Sequence, residues 1–227
     1  MEDNKKHLTM QLVEDFCINK KYLDEEYKKI ICNFSSDIYN KNIKELYDIN
    51  ECIVENRKLY EGINISYVQQ NDQYMIIIDG SIIELKLEQI KEIIRGLIDI
   101  LDDTLPLGTV VKLKKEYMKK IIKNKEIKDA EFVIVNRFVF HNEVKIFLPY
   151  AGIVYPVGFI ESAEAFHFTP SLIEEVVHRG YSDEKDYAYT YLIKKELIVE
   201  KNMHSFGFAS QEEIEKYKEI SKVKNYD

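Results

Sequence analysis

A chain of 227 residues with 45% hydrophobic and 32% charged residues can bury one large core or two small ones without staples, and is too apolar for general disorder. Its formal charge of −8 is unevenly placed: residues 1–104 carry 13 Lys and Arg against 21 Asp and Glu, and residues 105–227 carry 19 against 19. That excess acid disfavours general nucleic-acid binding and suits solubility or a basic protein partner.

Met1–His7 leads into no apolar signal-peptide core, and no apolar run approaches the ~18 residues needed to span a bilayer. Cys17, Cys32 and Cys52 are an odd set without metal-like spacing, so they are expected as reduced thiols on helices of a cytoplasmic protein. The first sixty residues read as helices. Asp24 is an N-cap followed by Glu25 and Glu26, and Tyr27, Ile30, Ile31, Phe34 and Ile38 form one apolar stripe. A second, less regular stripe runs through Ile43, Leu46, Tyr47, Ile49, Ile53 and Leu59, with Gly62 as its stop.

From Ile63 the period changes to two. Ile63–Tyr67, Tyr74–Ile78 and Ser81–Leu85 are predicted as a three-stranded meander, with Asp79-Gly80 as a type I′ hairpin turn. A helix bearing Leu87, Ile90, Ile93, Ile94, Leu97, Ile98 and Leu101 covers it, and Pro106 prevents a helix from running on. The boundary therefore falls there, giving a 1–104 N-terminal domain of helices plus meander and a 105–227 C-terminal α+β domain.

The second half opens on a strand, Thr109–Leu113. Lys112–Lys128 is a basic segment with eight Lys and two Glu, and Glu116–Ile127 is a candidate short helix using Tyr117, Ile121 and Ile122. Strands are expected at Glu131–Phe140 and Val144–Tyr150, joined at His141-Asn142-Glu143, with Tyr155–Gly158 as a turn or edge and Ala165–Phe168 extended. Thr169-Pro170 reads as a helix start with Glu174 and Glu175 in its first turns, Leu172, Ile173, Val176 and Val177 facing the core, and Gly180 as its stop. A further helix runs over about 183–199, and Ser210–Glu213 is a capping box opening the last one. The fold class is α+β: N-terminal helices and a meander with its helix, then a small antiparallel sheet with flanking helices.

No chemistry is visible. His7, His141, His167, His178 and His204 stand at no helical metal spacing, and no Cys accompanies them. His178 reads as a cation at a helix C-terminus, and His167 as a surface residue between Phe166 and Phe168. Neither a nucleophile–base pattern nor a glycine-rich phosphate loop is present, so no catalytic, cofactor or metal residues are assigned. A hydrolase would need His141, His167 or His204 to meet acids in a pocket. Lys112–Lys128 lacks Arg and interleaved aromatics, which makes nucleic acid an unlikely partner. Most of Phe138, Phe140, Phe147, Tyr150, Tyr155, Phe159, Phe166 and Phe168 are expected to build the core of the second half, and any that are exposed become anchors for a protein.

Three motifs carry a resemblance: Leu105-Pro106-Leu107-Gly108-Thr109-Val110-Val111, Tyr155-Pro156-Val157-Gly158, and Phe168 through Ile173 and Val176 to Gly180, Tyr181 and Asp183. Over about 105–184 the chain resembles a bacterial family known as domain of unknown function four-one-seven-six. The basic excursion after Leu113 is longer than that family's usual short hairpin. Such proteins are commonly encoded in Gram-positive bacteria beside the type VII secretion system and its LXG-type toxins. The resemblance implies a non-enzymatic cytoplasmic accessory protein, binding a cognate toxin as chaperone or targeting adaptor, with an immunity protein as the close alternative. It brings no catalytic residues and no cofactor.

Overall fold

The computed structural model describes residues 2–39, 41, 43–121, 130–159 and 165–224. The fold is α+β, and the chain forms two compact units, Met1–Asp103 with Lys194–Lys201, and Thr104–Ile193 with Asn202–Asp227.

The first unit starts with three helices, α1 (Glu2–Asn19), α2 (Glu25–Ile38) and α3 (Lys44–Val54). Asp24 caps α2 by accepting from the Tyr27 amide at 2.7 Å, as its sequence position predicts, and Ile31, Phe34 and Ile38 are buried. The α3 helix stops at Val54, short of the expected Gly62. The reason is a left-handed Asn56 (φ 55°), with the Arg57 amide bonded to Cys52 O at 2.8 Å and the Asn56 amide to Ile53 O at 3.1 Å. This is a Schellman closure with Asn in the glycine position. Leu59 therefore leaves the helical stripe and enters a strand.

The meander consequently has four strands, not three: β1 (Leu59–Glu61), β2 (Ile65–Gln70), β3 (Gln73–Ile78) and β4 (Ser81–Leu85), all antiparallel in that order. Asp79 and Gly80 take φ of 49° and 78°, the two positive values a type I′ turn requires. Tyr67, Ile76 and Ile83 stand in one register row on the buried face, against α3 and α4 (Leu87–Leu101). Glu45 is buried on α3 and accepts from the Asn64 amide (3.0 Å), Asn64 Nδ2 (2.8 Å) and the Ile65 amide (3.2 Å), which fixes the entry to β2. A π-helical turn, Lys195–Glu200, completes this unit. Asn19 Nδ2 donates to Val199 O at 3.1 Å, and Lys195 pairs with Asp15 at 2.8 Å.

The second unit is a six-stranded sheet in the order β10-β7-β6-β5-β9, with β8 paired to β7. Its members are β5 (Val110–Leu113), β6 (Glu131–Phe140), β7 (Ile146–Tyr155), β8 (Phe166–Phe168), β9 (Ile173–His178) and β10 (His204–Ser205). Every pairing is antiparallel except β10 with β7. Leu105, Val111, Phe132, Ile134, Tyr150 and Phe168 form its core. The flanking helices are α5 (Lys115–Ile121), α6 (Glu184–Lys194) and α7 (Gln211–Lys224). Ser210 and Glu213 cap α7 reciprocally: Ser210 N donates to Glu213 Oε2 at 2.8 Å and Glu213 N to Ser210 Oγ at 3.3 Å.

One element contradicts its sequence pattern. The helix expected from Thr169-Pro170 to Gly180 is a single 3-10 turn, Pro170–Leu172, followed by the strand β9. Thr169 Oγ1 pairs with Ser171 Oγ at 2.9 Å and does not cap the turn. The Lys114 amide donates to Leu172 O at 2.9 Å, and beyond it β5 offers a ladder to a β-branched run. Strand pairing therefore overrides the local helix signal. As a result Val176 and Val177 are 44% and 41% exposed instead of core-facing, Glu174 and Glu175 are not first-turn acids, and His178 ends a strand.

Candidate protein-interaction surface

Most of the residues that carry the resemblance are used up in holding the second unit together. The Leu105 amide donates to Tyr150 Oη at 2.9 Å, and the Gly108 amide donates to Ile134 O at 2.9 Å. Pro106 is buried, and its carbonyl accepts from Thr109 Oγ1 at 2.7 Å. That hydroxyl in turn accepts from the Gly180 amide at 3.0 Å, so the first and third motifs meet at one fully buried side chain. A Cβ on Gly180 would lie 2.1 Å from Leu107 O and 2.8 Å from Thr109 N, closer than any side chain can come. Phe168 packs on Tyr150 and Phe132, with ring centroids 5.7 and 6.4 Å away. Asp183 caps α6, accepting from the Lys185 and Asp186 amides at 3.0 and 3.1 Å.

Other motif residues lie outside this framework, among them Tyr155, Pro156 and Tyr181. Tyr155 and Tyr181 are 52% and 82% exposed, and Pro156 is exposed behind a cis Tyr155–Pro156 bond. Gly158, at φ 76°, closes that turn by donating to Val154 O at 2.9 Å, and the turn displays Val157 and Phe159. The Leu107 turn lies against Gly180, and Leu107 and Tyr181 are both exposed.

Arg137 and Lys194, like Glu45 and Lys20, are buried charged groups that escaped the sequence reading. Arg137 is 5% exposed on β6; its Nη2 is 2.5 Å from Asp186 Oδ1 and its guanidinium carbon 5.4 Å from the centre of the Tyr189 ring. Among the described residues its Nε–H has no hydrogen-bond partner. Phe138 beside it sits at φ 54°, next to a register shift between Ile134 and Asn136. The only clue in the sequence is an Arg inside an apolar strand run. In the first unit, Lys194 Nζ donates to Ile100 O and Asp102 O, each at 2.9 Å, at the end of α4. Burial lowers its pKa from 10.5 to about 8, against the attraction of Asp102, Asp99 and Asp103. Burial raises Asp102, opposed by the Tyr47 hydroxyl, which donates to it at 2.7 Å, and by Lys194. Lys194 serves the C-terminal end of α4, where a cation is favourable.

The remaining candidates have structural roles. His204 Nε2 is 3.4 Å from Glu213 Oε2, the capping carboxylate of α7, and His141 packs its ring 5.3 Å from that of Tyr217. His167 is exposed on β8. Cys17 and Cys52 are buried, and all three cysteines are free thiols. A hydrogen bond between Cys17 and Cys32 pushes Cys17 up and draws Cys32 down. Of the basic segment Lys112–Lys128, Lys112 pairs with Glu175 at 3.0 Å and Met118 is buried in the core; residues 122–128 lie outside the described residues. An open cavity of about 580 Å³ in the first unit is lined by Tyr22, Asp72, Gln73, Tyr74, Glu84 and Lys86, among others. Among the described residues no group of three or more His, Cys, Asp or Glu could hold a metal ion, and no helix is long and apolar enough to cross a membrane.

Comparison with known proteins bears on the second unit. Residues 104–189 match the family described as Domain of unknown function (DUF4176), the family that the three motifs resemble. The matched segment starts at the first residue of the second unit and ends within α6. No curated protein and no solved structure matches significantly.

Proposed function

We propose that this chain is a non-enzymatic accessory protein of type VII secretion, which binds a cognate LXG-type toxin in the cytoplasm as a chaperone or targeting adaptor. The observation that carries the reading is the pair of motif aromatics, Tyr155 and Tyr181, which the fold leaves exposed while the buried motif residues hold the unit together. Exposed aromatic side chains are the usual anchors of a protein interface. The family's genomic association with LXG toxins, implied by the resemblance, supplies the class of partner. Three free thiols suit a reducing compartment.

The test is co-purification of the tagged chain with its neighbouring toxin, supplied as separate export and toxic halves. Stable capture of a half, weakened at least about tenfold by Tyr155→Ala together with Tyr181→Ala, supports binding through this surface. Loss of export on deletion, with self-protection intact, marks a chaperone; loss of self-protection marks an immunity protein. Capture of neither half at low salt refutes the reading and returns attention to a hydrolase site near His204.

A further inference from the structure

The packing of α1 on α2 brings two thiols into contact. Cys17 lies in the buried stripe of α1 with Val13 and Phe16, and Cys32 stands on α2 beside the buried Ile31. The two side chains hydrogen-bond to each other, although they are on different helices. Their burial is unequal: Cys17 is 1% exposed, whereas Cys32 is half-buried. An oxidant arriving from solvent therefore meets Cys32 first. The hydrogen bond has the matching direction. The Cys17 thiol donates to the Cys32 sulfur, which favours charge on Cys32 and keeps the proton on Cys17. Lys20 and Lys28 place positive charge near Cys17, and Glu14 opposes charge on Cys32. Cys52 is different. It is buried on α3, and its thiol is spent on Arg57 O and Leu59 O, each at 3.5 Å.

We propose that Cys17 and Cys32 form a peroxide-responsive dithiol, with Cys32 as the reacting thiol and Cys17 as the resolving one, whose disulfide ties α1 to α2 reversibly. In the first step the Cys32 thiolate attacks one oxygen of hydrogen peroxide. The O–O bond breaks, the sulfur is oxidised to a sulfenic acid, and the other oxygen leaves as hydroxide and takes up the proton that Cys32 lost on ionising, giving water. In the second step the Cys17 sulfur attacks the sulfenic sulfur. The S–OH bond breaks, and the departing hydroxide takes the Cys17 proton and leaves as a second water. Two thiols and one peroxide thus give one disulfide and two waters. The side chains already touch, so they close to the ~2.05 Å of an S–S bond without separating the helices. A thiol reductant reverses the bond, which is the behaviour of a sensing disulfide in a reducing compartment. The pair lies outside residues 104–189 and is independent of the proposed function.

The test treats the reduced full chain with hydrogen peroxide at pH 7, at a dose that oxidises glutathione in a parallel tube. Remaining thiols are then counted with a thiol-reactive chromophore in denaturant. The count should fall from the three free thiols to one, and dithiothreitol should restore all three. Peptide mass mapping should place the bond between Cys17 and Cys32 of one chain and leave Cys52 free. Cys17→Ala should halt at a Cys32 sulfenic acid that dimedone traps, and Cys32→Ser should slow thiol loss at least about tenfold. Circular dichroism checks that both variants keep the fold, and the mapping of the wild-type chain stands without them. Three thiols surviving the peroxide, a bond through Cys52, a bond between two chains, or an unchanged rate in folded Cys32→Ser overturns the proposal. The readout is thiol chemistry, so these outcomes are distinct from failure to capture a toxin.

Discussion

Replacing Lys194 with Met tests the buried lysine directly. Lys194 is 5% exposed, so the wild-type fold must hold an ammonium group out of water, compensated by Ile100 O, Asp102 O and nearby acids. With a folded pKa of about 8 against 10.5, both states bind the proton at pH 7. Between pH 8 and 10.5 the folded state releases it first, so the unfolded state holds more protons and stability rises with pH. At 1.36 kcal/mol per pH unit, the gain from pH 7 to pH 10 is about 2 to 3 kcal/mol. Lys194→Met keeps the apolar stem and removes the titration. Urea unfolding followed by far-UV circular dichroism, on both proteins at several pH values, gives the comparison, and other alkaline titrations cancel in the difference. Tyr60 and Tyr67, pushed up from 10 to about 12 by burial, cost the fold stability as pH rises from about 10 to 12, a loss common to both proteins. Wild type should gain on Lys194→Met by about 2 to 3 kcal/mol from pH 7 to 10. A difference that stays constant over that range refutes a desolvated lysine.

Gly180→Ala should cost more than about 3 kcal/mol in thermal or chemical denaturation, because no rotation moves its Cβ away from the Leu107 carbonyl. Asp186→Ala should destabilise by about 3 to 5 kcal/mol, since it strands the buried Arg137 charge, while Arg137→Met should cost less; equal losses would mean that the pair's charge is irrelevant. Glu45→Ala removes three hydrogen bonds at a buried carboxylate and should cost about 2 to 4 kcal/mol, with increased amide exchange at Asn64 and Ile65 as the local sign. Tyr181→Ala should leave stability within about 0.5 kcal/mol, as expected for an exposed side chain, and its effect should be read in partner capture alone.

Much of the architecture follows from local pattern. The α2 stripe behind Asp24, the Asp79-Gly80 hairpin, the apolar face of α4 and the Ser210 capping box each place period, cap and turn residue in agreement. The misreadings share a cause. In 170–180, Thr-Pro, two Glu and a terminal Gly satisfy every rule of a helix, but those rules know nothing of β5, whose unpaired edge takes the segment as a strand. Leu59 fits a helical stripe until Asn56 takes a left-handed conformation five residues after Glu51. The candidate surface was legible only as motifs: spacing located Tyr155, Gly180 and Tyr181, but not which of them face solvent.

The sequence by itself determined the α+β class, the helical start, the change of period at Ile63 and the segment that matches a family, because these depend on neighbours along the chain. Only the tertiary structure decided that Thr109 joins two motifs seventy residues apart, that Arg137 and Lys194 are buried, and that β3 is covered on one face but apolar on both. Each of those depends on what the folded chain brings alongside, and burial, charge pairing and edge pairing are properties of that neighbourhood and not of the residue.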